Sequence, residues 1–285
     1  MNSPISSAPL ALNPSEKEVA AYCETHGDFT AKSFTVFTDH PPVVTRCPLC
    51  EVADRAKTVE RNEALARREK QERIYSLRNR SGIPARYTDR TIDNFIATTP
   101  GQQRVKEICT LFSESKTPGA SLILCGPPGV GKTHLATACG NAFTEMLRSV
   151  LFMTVLSAIR HIKDTYRKDS PRSESDAIDD LLAPDLLILD EIGAQLGSEH
   201  EKMLMFEIIN ERYQQLRSTI LISNLTREEL STFLGDRVMD RFRESGAVIA
   251  FDWQSHRGQR ATLSDIPSAG DNLQTHAVPQ RIGRQ

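Results

Sequence analysis

The stretch GPPGVGKT, residues 126–133, constrains this chain more than any other. It fits G-x-x-x-x-G-K-[ST], follows the apolar run SLILC (121–125) and opens into the helix formers KTHLATACGNAFTEML (132–147). A glycine-rich turn between a buried strand and a helix start curls its N–H groups inward, and the helix N-terminus adds positive potential where phosphate oxygens sit. The expected nucleotide-binding set is therefore Gly126, Pro127, Pro128, Gly129, Val130, Gly131, Lys132, Thr133 and His134. Lys132 reaches the β- and γ-phosphates in such a loop, and Thr133 offers its hydroxyl to Mg²⁺. No guanine-selective N-K-x-D is present, so ATP is the expected nucleotide.

A second signal lies downstream. LLILDE (186–191) is a buried apolar strand that ends in two acids, which predicts Asp190 as a Mg²⁺ ligand and Glu191 as the group that polarises an attacking water. Asn224, closing TILISN, stands where an amide holds that water or the γ-phosphate, although a turn asparagine explains it equally simply. Apolar runs at 121–125, 149–155, 185–190, 219–223 and 247–253 alternate with helix-length segments at 132–147, 157–167, 201–216 and 227–234. That alternation predicts an α/β fold, a parallel five-stranded sheet between helices.

Outside this region the composition changes. Residues 1–20 are rich in Ser, Pro and Ala and are expected to be a disordered tail, as are the mostly polar residues 259–285. Residues 51–80 lack Pro and Gly and predict one long solvated helix with nine Lys/Arg against six Asp/Glu; SGIP (81–84) ends it and opens the ATPase domain, 81–258. No apolar run spans a bilayer and the N-terminus is a poor signal peptide, so no membrane contact and a cytoplasmic setting are expected. A net charge of −2 confines any nucleic-acid surface to a local patch.

In a reducing compartment clustered cysteines suggest metal more than disulfides. Residues 21–50 hold CETH (23–26) and CPLC (47–50), a C-x₂-H and C-x₂-C pair that predicts a closed, structural Zn²⁺ site from Cys23, His26, Cys47 and Cys50. His40 is the alternative histidine, and FTVF (34–37) is expected to fold back as a hairpin between the two pairs. So small a module has too little core to fold without the metal. Cys109, Cys125 and Cys139 fall in predicted helix or strand as small core residues.

With 126–133, LLILDEIG (186–193), ISN (222–224) and LGDRVMDRFRESGAVIAFDWQSHRG (234–258) in this order, the chain resembles the DnaC-type replicative helicase loaders of the AAA+ ATPases over about residues 80–258. The resemblance implies an ATPase whose nucleotide lies between subunits. Arg241 is then the finger that reaches the neighbour's γ-phosphate, with Arg237, one turn earlier, as its companion. Otherwise both arginines are surface residues paired with Asp236, Asp240 or Glu244. It also implies that SGIPARYTDRTIDNF (81–95) runs beside the adenine, where Ile83, Tyr87 and Phe95 line a pocket or anchor the domain. The helical lid of most AAA+ proteins is absent, as in these loaders, which leaves Arg257 without an assigned role.

The partners implied are a replicative helicase, engaged by the zinc module and helix 51–80, single-stranded DNA, and further copies of the chain across the ATP interface. DNA contacts are expected at Lys163, Tyr166, Arg167, Lys168, Ser198 and His200, where basic and aromatic groups suit phosphates and bases. The nearest alternative is an IstB-type transposition helper ATPase acting with a transposase on duplex DNA. Asp190–Glu191 and the 236–246 box favour the loader. A third, a zinc adaptor with a degenerate ATPase, sits poorly with intact Lys132, Thr133, Asp190 and Glu191.

Overall fold

The structure is a computed structural model that describes residues 16–35, 41–193 and 198–255. Residues 1–15, His40 and the segment from 256 onward, with Arg257, lie outside it. The described chain forms two compact units, 1–71 and 72–285. No described helix is long and apolar enough to cross a membrane.

In the first unit, β1 (Glu16–Cys23) and β2 (Gly27–Phe34) form an antiparallel hairpin, and β3 (Val43–Val44) joins β2 at Ser33 and Phe34. The expected tail thus stops short of residue 20. Val19, Ala21 and Cys23 alternate toward one face and are half-buried, the period of a strand. The segment between the two ligand pairs folds back as expected: β2 takes in Phe34 of FTVF and pairs antiparallel with β3, while Val36 and Phe37 lie outside the described residues; a second hairpin, β1–β2, turns at the CETH knuckle, where Gly27 adopts a φ of 78°. Helix α1 (Pro48–Arg80) follows, ion-paired along its surface by Arg55–Glu51 (2.5 Å) and Arg67–Glu63 (3.2 Å). Ile74 is its one buried residue.

The second unit carries a parallel sheet in the order β5-β6-β7-β4-β8: β4 (Ser121–Cys125), β5 (Val150–Thr154), β6 (Leu186–Ile192), β7 (Ser218–Ser223) and β8 (Gly246–Ala250). Alternate residues feed two cores. Ile123, Leu187, Leu189 and Leu221 pack against α4 (Val155–Lys163), α5 (Glu174–Leu182), α6 (Glu199–Gln214), α7 (Arg227–Leu234) and α8 (Asp236–Ser245). Leu122, Leu124, Ile188, Ile220 and Ile222 pack against α2 (Pro100–Glu114) and α3 (Lys132–Glu145). This is the α/β core that the P-loop and the strand pattern imply, and no helix follows β8 among the described residues.

Helices α2 and α5 were not expected from periodicity. Both open on capping boxes, Thr99 with Gln102 and Ser173 with Asp176, and α2 has Pro100 at its first position.

One charged side chain joins the elements of the larger core. Arg212 of α6 is fully buried and spends five hydrogen bonds on neutral acceptors. Nε donates to Thr219 Oγ1 (3.1 Å), one terminal nitrogen to Leu181 O (2.9 Å) and Leu182 O (3.0 Å), the other to Pro184 O (3.0 Å) and Ser218 O (2.6 Å). Burial pushes its guanidinium down to about 9, so it stays charged at neutral pH. Arg212→Met keeps the aliphatic stem but strands four buried carbonyls and one hydroxyl, and is expected to cost on the order of 3 kcal/mol or more. Urea unfolding followed by circular dichroism measures it, and a loss under about 1 kcal/mol contradicts the assigned role.

Candidate functional site

At the carboxyl edge of the sheet lies an open pocket of about 460 Å³. Pro128, Gly129, Gly131, Lys132, Thr133 and His134 line it from the loop, Asp190 and Glu191 from β6, Asn224 from the end of β7 and Thr154 from β5. Gly126, Pro127 and Val130 do not line it. Val130 is fully buried, and Gly126, at φ 131°, lies where a Cβ would come within 2.3 Å of Phe251 O. Gly131, at φ 101°, leaves only 2.7 Å between such a Cβ and the Phe95 ring. Glycine is needed at both for close approach as well as for conformation.

Lys132 is folded back onto the loop and donates to the carbonyls of Gly126 and Pro127, each at 2.7 Å. Thr133 Oγ1 donates to Asp190 Oδ2 at 3.1 Å. Burial pushes the Asp190 carboxyl up, against the Glu191 N–H (2.7 Å) and the Thr133 hydroxyl that hold it down. A partly buried carboxylate at the edge of an open pocket, beside a threonine hydroxyl, is a donor set that suits a divalent cation. Glu191 is exposed at φ 65°, a left-handed conformation costly for a residue with a Cβ, at an irregularity where β6 slips against β7 between Leu189 and Ile192. Such a bulge re-aims the side chain that a regular strand would point into the sheet.

The lead-in segment supplies the opposite wall through Pro84, Arg86, Tyr87 and Arg90. Asn141 of α3 pins it by donating to Tyr87 O (3.1 Å) and Arg90 O (2.8 Å), and His134 Nε2 donates to Thr91 O at 3.2 Å. Burial lowers the His134 ring below its ordinary value. Of the three hydrophobic residues weighed for this wall, Tyr87 alone lines the pocket. Ile83 packs into the core beside Gly140, and Phe95 is buried under Gly131, edge-on to the His134 ring. Arg86 and Arg90 were missed because an arginine in a Pro/Gly-rich lead-in looks like ordinary solvated charge. Trp253 was missed too: its Nε1 donates to Val130 O at 3.0 Å, clamping the loop from behind.

Arg237 and Arg241 do not line this chain's own pocket. Helix α8 buries Val238, Met239 and Phe242; Arg237 is exposed, while Arg241 is half-buried beside α6. Neither pairs with a carboxylate among the described residues: Asp240 takes Arg243 (2.5 Å) and Glu244 accepts from Tyr213 Oη (2.6 Å). The Arg241 guanidinium lies 5.2 Å from the centre of the Tyr213 ring, and the Glu244 hydrogen bond holds the Tyr213 phenol above its usual range.

The six residues weighed as DNA contacts fall near the end of α4 and the start of α6, but several are occupied. Lys163 pairs with Glu201, Arg167 with Asp164 (3.0 Å), and Ser198 caps α6 by accepting from Glu201 N (3.3 Å). Tyr166 and His200 meet at 3.4 Å with both side chains exposed, and Lys168 is exposed nearby in the chain.

In the first unit the hairpin turn and the start of α1 bring the ligand atoms of Cys23, His26, Cys47 and Cys50 within 4.8 Å of one another. His26 Nδ1 lies 3.6, 3.6 and 3.3 Å from the sulfurs of Cys23, Cys47 and Cys50, and Cys23 Sγ lies 3.5 Å from Cys50 Sγ. A tetrahedron with zinc–ligand bonds of ~2.0–2.3 Å has edges of about 3.5–3.8 Å, so the cluster is compatible with zinc. The Thr25 backbone and then His26 lower the Cys23 thiol to about 6, while the hydrogen bond to Cys23, then burial, push Cys50 up to about 11; sulfurs this close suit a shared cation.

Residues 51–263 match the family of IstB-like ATP binding proteins. Replicative helicase loader DnaC of Escherichia coli (strain K12) is 35% identical over 201 residues, 70% of this chain and 82% of that protein. Its counterpart from Buchnera aphidicola subsp. Acyrthosiphon pisum (strain APS) is 34% identical over 198 residues, 69% and 80% of the two chains. The crystal structure of the DnaC helicase loader superposes with a TM-score of 0.53 at 25% identity, covering 59% of this chain and all of the other. The chain belongs to the family of IstB-like ATP-binding proteins that includes the DnaC replicative helicase loaders.

Proposed function

We propose that this protein binds a replicative helicase in the cytoplasm and loads it onto single-stranded DNA, hydrolysing ATP at an interface between its own copies. The observation that carries the reading is the likeness to proteins named replicative helicase loader across 80% or more of their length. The pocket supports the ATPase part. Thr133 and Asp190 would hold Mg²⁺, which supplies positive charge to the β- and γ-phosphate oxygens. Lys132 exchanges its two carbonyl partners for phosphate oxygens. Glu191 accepts the proton of a water, Asn224 orients that water, and its oxygen attacks the γ-phosphorus in line with the departing ADP oxygen. Arg241 of a neighbouring copy neutralises the charge that builds up, with Arg237 one turn before it on the same helix.

Lys132→Ala and Arg241→Ala are each expected to lose at least about tenfold in ATP hydrolysis, because each removes charge stabilisation from the transition state. An equal mixture of the two recovers activity, since some interfaces pair an intact loop with an intact finger. A normal rate in Arg241→Ala ends the shared-site reading. Co-purification with a transposase instead of a helicase would favour the transposition helper.

The DNA part of the proposal rests on Tyr166, His200 and Lys168, the members of the α4–α6 patch that ion pairs and caps leave free. Replacing Tyr166 and His200 together by alanine is expected to weaken single-strand affinity about fivefold or more, a stacking contribution. Fluorescence anisotropy with a labelled oligonucleotide measures this, and unchanged affinity removes the patch from the reading.

The four-ligand cluster is proposed to hold one structural Zn²⁺. Elemental analysis of purified protein should find about one equivalent per chain, and Cys47→Ser should lose it. Chelation at neutral pH should abolish the hairpin's signals in NMR while those of the 72–285 unit persist. Metal-free protein with an intact hairpin contradicts the assignment.

A further inference from the structure

The Arg241 guanidinium is held without an acid. We propose that Tyr213 is a positioning residue for Arg241: its ring stores the cation while its hydroxyl occupies the carboxylate that would otherwise capture it. This rests on reading Arg241 as the residue that reaches a neighbour's nucleotide.

Tyr213 bridges α6 to α8 at two points. Its ring centre lies 5.2 Å from the Arg241 Cζ, and its hydroxyl donates to Glu244 Oε2 at 2.6 Å. Glu244 is three residues beyond Arg241 on the same helix, a spacing at which arginine and glutamate ordinarily pair. The phenol removes that option. The other nearby acid, Asp240, is taken by Arg243. A carboxylate would consume the N–H groups of the guanidinium and cancel its charge. A ring attracts the cation through its π-face and leaves the N–H edge open for phosphate oxygens.

The platform is also anchored. Tyr213 follows Arg212, whose five side-chain hydrogen bonds tie this turn of α6 to the end of α5 and to β7, so the ring is carried by a turn fixed on both sides. On α8, Phe242 is buried immediately after Arg241 and fixes the helix rotation from the other side. Position and direction of the guanidinium are therefore set before any neighbour arrives, which lowers the ordering cost of forming the shared site.

The test measures ATPase kinetics of the full-length protein with single-stranded DNA, beside Arg241→Ala. Tyr213→Leu is expected to lower kcat about five- to tenfold with KM for ATP within about twofold, as for an interaction made only in the transition state. Tyr213→Phe keeps the ring but frees Glu244; it should lose activity, and adding Glu244→Gln should restore it. Mixing Tyr213→Leu with Lys132→Ala should also restore activity, because the second protein supplies intact fingers. A Tyr213→Phe loss that Glu244→Gln leaves unchanged, or a Tyr213→Leu loss that the mixture leaves unchanged, overturns the proposal. A wild-type rate in Tyr213→Leu beside an inactive Arg241→Ala removes this inference alone. A wild-type rate in Arg241→Ala removes the finger reading and this inference with it.

Discussion

The site depends on a backbone contact between the ends of two strands distant in sequence. After β4 the chain must curl into a phosphate loop, and after β8 it must leave the sheet beside that loop. Phe251 N donates to Cys125 O at 2.8 Å, Gly126 packs directly against Phe251 O, and Trp253 Nε1 holds the Val130 carbonyl. The loop's shape is thus imposed from the carboxyl end of the domain as well as by its own glycines. A side chain at 126 would open this contact, because the obstacle is backbone that cannot rotate away.

Around that fixed loop the polar groups sit in a provisional arrangement. Lys132 is satisfied by two loop carbonyls and Asp190 by a hydroxyl and an N–H, so neither is left as a bare buried charge. Each of those partners is neutral. On the proposed reading, phosphate and a cation would offer these groups full charges, exchanging weaker hydrogen bonds for charge-assisted ones. The bulge at Glu191 fits this division. The regular part of β6 is committed to the sheet, and Glu191, which lines the pocket, is released from it.

The sheet was legible in the sequence because its strands are buried on both faces and therefore read as unbroken apolar runs. LLIL in β6 feeds Leu187 and Leu189 to one core and Leu186 and Ile188 to the other. Helices α2 and α5 were hidden from a search by periodicity, yet their capping boxes stand in the sequence at Thr99 and Ser173. The glycine-rich loop and the two acids were legible from spacing as residues brought to one pocket, and the structure places them there. What spacing cannot reveal is a partnership across elements. Arg212 looks like one more charge in ERYQQL until the carbonyls ending α5 and opening β7 surround it. Tyr213 has no local sign that Arg241, on another helix, lies over its ring. The same limit left Ile83 and Phe95 open between an adenine wall and a core anchor, and the structure places both in the core.

The two units reach stability by different routes, and this affects where α1 begins. The 72–285 unit has two apolar cores, one on each face of its sheet. In the hairpin unit Ala31 and Cys47 are the buried apolar residues among those described, too little for a three-stranded sheet to stand on its own. The four ligands bridge the places where a hydrophobic core is missing. Cys23 and His26 hold the hairpin turn, while Cys47 and Cys50 bracket Pro48 and Leu49, the first residues of α1. A cation shared among them would set the hairpin and the start of α1 together, where neither has an apolar core of its own to do so.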